Sequence, residues 1–397
     1  MNARFFTDNR QRLINLLEGT PVVLTAYTAL QRSNDASFAF EQEANFWYLT
    51  GIESADWQLV IDGAKSVLVA PDVDEIHAVF DGSLSWDDAK KMSGVDEVVS
   101  RKDGKALLTA LSLKHSTVAT LGKDPHAVHY DFAVNPAPTH LLRQLKKQFG
   151  EVQDCRRVLA KMRAIKQPEE IESIRRAIAL SVEAFSQVKA DLDTYTHEYQ
   201  VESAFSHFFR SRGAKGHAYD PIVAAGKNAC TLHYGANNDS LKKSDMLLLD
   251  IGARVDGYAA DITRTYSLGD VSPRHAAVHA AVETAHRQII DLLQPNLKIE
   301  AYSKDVDSIM KKALKSLGLF NSDDDYRKYF PHAISHGLGI DVHDSLGGPD
   351  VFAEGMVLTV EPGIYIPEEG IGVRIEDDIL ITRDGHENLS AALSTSL

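Results

Sequence analysis

Asp250 and Asp261 each interrupt a stretch with the texture of a β-strand, in "DIGARVDGYAADITRTY" (residues 250 to 266). Asp256-Gly257 between them is a strong two-residue hairpin signal, because both central positions of such a turn want positive φ. Across that loop the eleven-residue separation puts both carboxylates on one face, directly opposed or on the diagonal. A solvent-facing polar side is one account of this pattern. The other starts from "MLLLDIGA", apolar up to Asp250, which points the acid inward. Two ionised acids buried on one face repel and are costly to desolvate, so a cation is expected to join them.

A matching hairpin follows in "GMVLTVEPGIYIPEEGIGVRIEDDILIT", where Glu361 and Glu376 lie fifteen positions apart across a turn at "PEEG". Two such hairpins in corresponding places suggest four carboxylates converging between two similar halves. A nitrogen ligand is available in "HAISHGLGIDVHD", where His336 sits among glycines and His343 lies seven residues on. An oxygen-dominated site with one imidazole suits Mn²⁺, and Zn²⁺ or Co²⁺ also fits.

The elements that must position these groups are legible as texture. In the first third "TPVVLTAYT", "FWYLTG", "WQLVIDG", "SVLVAP" and "STVATLG" read as buried strands among helical stretches, an α/β layer of its own. Pro168 followed by Glu169 and Glu170 reads as a helix N-terminus, where proline needs no amide partner and acids suit the dipole. The expected domains are residues 1–157 and 158–397. Within the second, helices are expected over about 168–190 and 196–213, then strands to Leu268. The order repeats with helices over about 273–293 and 299–318, then strands to Ile381.

Composition bounds the partners. The 397 residues carry 42 basic against 56 acidic side chains, a net charge of −14, which repels nucleic acid and anionic membrane. Two cysteines, Cys155 and Cys230, give no disulfide framework and point to a reducing cytoplasm. The N-terminus has neither the apolar run of a signal peptide nor that of a membrane anchor. The "SDDD" run from Ser322 reads as a solvated loop.

Taken together, the histidine motif, the aspartate spacing, "TVEPGIY" and "GVRIEDD" resemble the proline-peptidase branch of the pita-bread metallopeptidases: Xaa-Pro aminopeptidase and Xaa-Pro dipeptidase (prolidase). "RSNDASFAFEQEANFWYLTG" is similar to that family's N-terminal, creatinase/prolidase-like α/β domain. The implied fold is α/β (α+β), with a C-terminal pita-bread catalytic domain. The resemblance implies two divalent ions, with Asp250 on one, Asp261 and Glu376 bridging both, and His336 and Glu361 completing the other. It gives Glu361 a part in proton transfer, places His233 and His343 beside the substrate, and sets Arg374 to brace Glu376 or the substrate's far end. It also implies a homodimer acting on Xaa-Pro peptides.

The compact hairpin link and short stretch after Glu376 favour a dipeptidase over an aminopeptidase. A dipeptidase needs a cation for the substrate carboxylate, with Arg374 or a residue near Arg32 as candidates. A metal-free peptide-binding module of the same fold is the remaining alternative, disfavoured because all five ligand positions are filled.

Overall fold

Short apolar runs bounded by turn residues make the strands of the first unit. In the computed structural model, which describes residues 1–125 and 133–397, the chain forms two compact units, Met1–Met162 and Arg163–Leu397. The expected boundary at 157 falls inside the helix Arg156–Ala164 that straddles this division.

The first unit carries β1 (Val22–Thr25), the hairpin β2 (Gln31–Ser33) and β3 (Ala36–Ser37), then β4 (Gln58–Asp62), β5 (Lys65–Val69), β6 (Glu97–Val99), β7 (Thr117–Thr120) and β8 (Glu151–Asp154). Six of these form one mixed sheet in the order β6-β5-β4-β1-β7-β8. Val23, Val60, Val69 and Val118 of its central strands pack against Leu108, Leu111, Leu141 and Leu145 from flanking helices. One expectation fails. "FWYLTG" lies in a helix, Ala44–Thr50, with Glu43 capping its first turn and Gly51 ending it in the left-handed conformation. All seven of its residues are buried, so no face-by-face periodicity was there to read.

The second unit opens on Pro168–Ala190, where Pro168 sits at the N-terminus and the Glu170 carboxylate accepts from the Gln167 amide (2.9 Å). Helix Glu198–Ser211 follows, then β9 (Gly216–His217), β10 (Ile222–Ala225), β11 (Met246–Asp250), β12 (Ala253–Val255), β13 (Tyr258–Ala259) and β14 (Thr263–Ser267). Helices Pro273–Ile290, Ile299–Ser316 and Asp323–Tyr329 lead to β15 (Val357–Val360), β16 (Gly363–Ile366), β17 (Ile371–Arg374), β18 (Asp377–Thr382) and β19 (Gly385–Asn388). Helices followed by strands thus occur twice, as the sequence order suggests. Ser322 caps the last of these helices with Asp325, so "SDDD" is a helix start and not a loop.

Register fixes the faces of both hairpins. Asp250 pairs with Thr263 and Arg254 with Ala259, which puts Asp261 opposite Gly252 and on the diagonal from Asp250. The turn residues Asp256 and Gly257 have φ of 49° and 84°, both left-handed as the tight turn requires. Gly252 has no room for a side chain, since a Cβ there would lie 1.7 Å from the Ala260 carbonyl oxygen. In the second hairpin Val360 pairs with Asp377 and Gly363 with Arg374, which sets Glu361 opposite Glu376 in the break between the two ladders. A bridge between Thr263 and Glu376 joins the two hairpins. Beneath them Val278, Val282, Met310, Leu358, Ile364 and Val373 belong to one buried apolar cluster.

Candidate metal centre

Asp250, Asp261, His336, Glu361 and Glu376 line one cavity of about 380 Å³, together with His233, His343, Arg374, Tyr219 and His332. The five expected metal ligands and His233, His343 and Arg374 therefore face the same space, whereas Arg32 is not among its lining residues. Asp261, His336 and Glu376 each offer a ligand atom, and those atoms all lie within 4.8 Å of one another.

His336 reaches the cluster through backbone pairing. Its segment runs beside β15, with Thr359 N–H donating to the His336 carbonyl and Glu361 N–H to that of Ile334 (2.9 and 3.0 Å). His336 and Glu361 consequently share a face. His336 Nδ1–H donates to the Gly337 carbonyl (3.0 Å), which aims Nε2 at Asp261 Oδ2 (3.3 Å) and Glu361 Oε1 (3.6 Å).

The electrostatics call for a cation. Burial, with the neighbouring acids Asp261, Glu361 and Asp250, holds the Glu376 carboxyl well above its usual range. Burial also raises Asp261, and Asp250 adds to it against the opposing hydrogen bond from His336. Glu361 is pushed up to about 7 by burial, against the charges of His336 and Arg374. Burial works against charge on His336, but its hydrogen bond to Asp261 and the two nearby acids outweigh that and raise it to about 9. Carboxylates so close together keep their charge when a divalent ion joins them. Four hard oxygen donors and one imidazole with its Nε2 turned inward are a donor set that fits such ions.

Arg374 departs from its expected contact. Its Nη2 donates to Asp250 Oδ2 (2.5 Å), its Nη1 to Tyr365 Oη (2.8 Å) and its Nε to Thr263 Oγ1 (3.2 Å). It touches Glu376 only through Thr263, whose hydroxyl donates to Glu376 Oε2 (2.6 Å). The guanidinium is buried and each of its three nitrogens donates to a neighbour, with its charge paired to Asp250, so it is no free clamp for a substrate carboxylate.

Three further residues complete the site. Tyr219 donates to Asp250 Oδ1 (2.6 Å), so both oxygens of that acid are held. Tyr365 donates to His332 Nε2 (2.8 Å), while His332 Nδ1–H donates to the Ala333 carbonyl (2.8 Å). Burial, then the Arg374 charge, lower His332 to about 4 and keep it a neutral acceptor. Tyr365 thus links Arg374 to His332. Tyr219 and His332 carried no sequence signal beyond "HAYDP" and the "PHAISH" spacing of four. The latter marks a shared face on a regular helix or strand, and this segment, bent at His332 and Ile334, is neither.

His343 stacks edge-on against His336, with ring centroids 4.4 Å apart, and burial followed by the His336 charge lowers it to about 4. His233 is exposed on its loop at the cavity wall. Cys230 is a free thiol whose Sγ meets the Ile371 carbonyl (3.4 Å).

A model of metallopeptidase family M24 matches residues 172–383, and a model of the aminopeptidase P N-terminal domain matches residues 6–119. The chain belongs to metallopeptidase family M24. Its M24 relatives include the Xaa-Pro aminopeptidase of Escherichia coli K12, 32% identical with 98% of this chain and 94% of the relative covered. Human Xaa-Pro aminopeptidase 3 is 33% identical, with 93% and 78% covered. Among solved M24 structures, aminopeptidase P from E. coli with the inhibitor Pro-Leu superposes with a TM-score of 0.89 at 29% identity, covering 100% of this chain and 96% of that one. The expected two-domain architecture, an N-terminal domain followed by an M24 catalytic domain, is the one found. Among the described residues no helix is long and apolar enough to cross a membrane.

Proposed function

We propose that this metal-dependent Xaa-Pro peptidase is an Xaa-Pro aminopeptidase, which removes the first residue from peptides whose second residue is proline. The carrying observation is the convergence of four carboxylates and His336 on one cavity. The relatives named above support the aminopeptidase over the dipeptidase favoured from hairpin compactness. So does the cavity wall: among the described residues no lysine lines it, and the one arginine that does, Arg374, is already committed to Asp250. Nothing in that wall rewards a free proline carboxylate, which a dipeptide-only enzyme needs.

In this reading Asp250, Asp261, His336, Glu361 and Glu376 hold two divalent ions, Mn²⁺ in preference to Zn²⁺ or Co²⁺. Such ions polarise the scissile carbonyl and make water a nucleophile near neutral pH. The protein's own part is positional and protonic. Arg374 and Tyr219 fix the Asp250 carboxylate, and the Gly337 carbonyl fixes the His336 ring. Glu361, whose carboxylate faces His336 on the cavity wall, would take a proton from water and pass it to the leaving proline nitrogen. His233 and His343, on the same wall, would steady the scissile carbonyl as charge develops on it. A homodimer and a cytoplasmic location go with the reading. The free Cys155 and Cys230 support the latter, and sedimentation tests the former.

The test is hydrolysis of Ala-Pro-Ala by metal-stripped protein before and after Mn²⁺ is restored, with Ala-Ala-Ala as control. Release of alanine from the first peptide only, and only with metal, supports the reading. Cleavage that ignores metal or proline overturns it.

A further inference from the structure

His233 has a position on the cavity wall but, among the described residues, no side-chain hydrogen bond is seen holding it there. What fixes it must act through the backbone of its loop. That loop leaves β10 after Ala225 and runs to Asp239, and two carboxylates on the helix Glu198–Ser211 meet it from one side.

Glu198, wholly buried at the first turn of that helix, accepts at both oxygens. Oε1 takes Ala225 N–H (2.8 Å) and Asn228 Nδ2 (3.1 Å), while Oε2 takes Tyr234 O–H (2.9 Å) and Asp239 N–H (2.9 Å). One side chain thus grips the loop at its start, in its middle and at its end. Tyr234 is the next residue after His233. One helical turn on, Glu202 accepts from Asn237 Nδ2 (2.9 Å), whose own Oδ1 accepts from Val223 N–H (3.0 Å). Asn237 has φ of 43°, a left-handed conformation that this contact helps to hold. A buried carboxylate needs donors at both oxygens to remain there, and here every donor comes from the last residue of β10 or from the loop that leaves it.

We propose that Glu198 is the positioning residue for His233: its carboxylate, through Tyr234 and the Ala225 and Asp239 amides, sets where the imidazole meets the substrate. Glu198 touches neither substrate nor metal. The proposal rests on the peptidase reading for its activity measurement only. Burial, then Glu198 itself, push the Tyr234 phenol up to about 12, so it remains a donor across the working range.

The test uses Glu198→Gln, Tyr234→Phe and His233→Ala, alone and combined, in the full chain. In Glu198→Gln an amide NH₂ replaces one acceptor and faces two donors, so one end of the loop is released. Turnover of Ala-Pro-Ala should fall about tenfold with little change in KM and unchanged metal content, the signature of a misplaced group. In the His233→Ala background the same change should cost nothing further, because the group it positions is gone. Tyr234→Phe removes the bond donated to Glu198 Oε2 and the one accepted from Asn228 Nδ2 (3.1 Å) but leaves both Glu198 oxygens with other donors, and should show a smaller loss of the same kind. It serves if Glu198→Gln fails to fold. Amide hydrogen exchange across residues 226–239 should quicken in both variants and not elsewhere. Independent, multiplying losses in the double variant, or loop exchange that does not change, would overturn the proposal. If the wild-type protein leaves Xaa-Pro peptides intact, the peptidase reading fails by itself, and the exchange measurement still decides whether Glu198 holds the loop.

Discussion

The register of the pairs Val360–Asp377 and Gly363–Arg374 sets Glu361 opposite Glu376, in the break between two antiparallel ladders. Side chains so opposed have Cβ atoms about 5 Å apart, a separation at which like charges destabilise a sheet. Asp261 reaches the same place from the other hairpin, through the Thr263–Glu376 bridge. The fold therefore concentrates repulsion where a cation would relieve it, and stability is given up there for binding.

From this follows an inverse effect of Glu376→Gln. Removing one buried acid relieves its neighbours, so the metal-free protein should melt higher, by about 2–4 °C if the relief is near 1 kcal/mol. Activity and metal uptake should nevertheless be lost. Calorimetry in chelator beside metal analysis checks this. A metal-free variant that melts lower would count against the repulsion argument.

Arg374→Met tests the other charge at the site. Breaking a buried ion pair from one side costs about 3–5 kcal/mol, because the remaining charge stays uncompensated. Here that charge is Asp250, left with Tyr219 alone. Denaturant unfolding should show the full loss in chelator and a clearly smaller one with Mn²⁺ present, since the ion then compensates Asp250. Equal losses in both conditions would mean that Asp250 is not at a metal.

Gly252→Ala should break the first hairpin. The added Cβ would collide with backbone, the Ala260 carbonyl and the Asp261 amide, and no flexible side chain can yield. A soluble variant with unchanged melting temperature and metal affinity would refute the close approach.

How much of this was legible follows from the range of each interaction. Parity alone put Asp250 with Asp261, and Glu361 with Glu376, on common faces, because the strand period is two and the turns at Asp256-Gly257 and "PEEG" set the count. Parity left open whether each pair is opposed or diagonal. The structure gives one of each, and Gly252, taking the place opposite Asp261, makes room for the diagonal one. Long helices with proline or capped starts were readable for the same local reason. The resemblance set Arg374 to brace Glu376 or the substrate's far end, yet its carboxylate partner is Asp250, 124 residues away. Tyr219 and His332 were missed likewise: each acts through contacts that only the folded hairpins bring together. Hairpin compactness favoured a dipeptidase, whereas the relatives are Xaa-Pro aminopeptidases.

In the first unit, Asp96 gives a pH dependence separate from the metal. Its carboxylate accepts from Ser66 N–H (2.7 Å) and Ser66 Oγ (3.1 Å), and chiefly the backbone bond holds its pKa below the usual value. A depressed folded pKa contributes stability above the unfolded value of about 3.9, and that contribution is lost as pH falls through the folded one. Asp96→Asn should therefore melt below wild type at pH 7, with the gap narrowing on acidification towards pH 3. A gap that widens on acidification would reverse the sign and the assignment.

The central claim, an exopeptidase that accepts a chain continuing beyond proline, is tested most directly by comparing kcat/KM for Ala-Pro-Ala and Ala-Pro on the Mn²⁺-loaded protein. With no free lysine or arginine among the described residues of the cavity wall to reward a terminal carboxylate, the tripeptide should be cleaved efficiently and the dipeptide poorly. Efficient cleavage of Ala-Pro with Ala-Pro-Ala left intact would contradict the account and make the enzyme a dipeptidase.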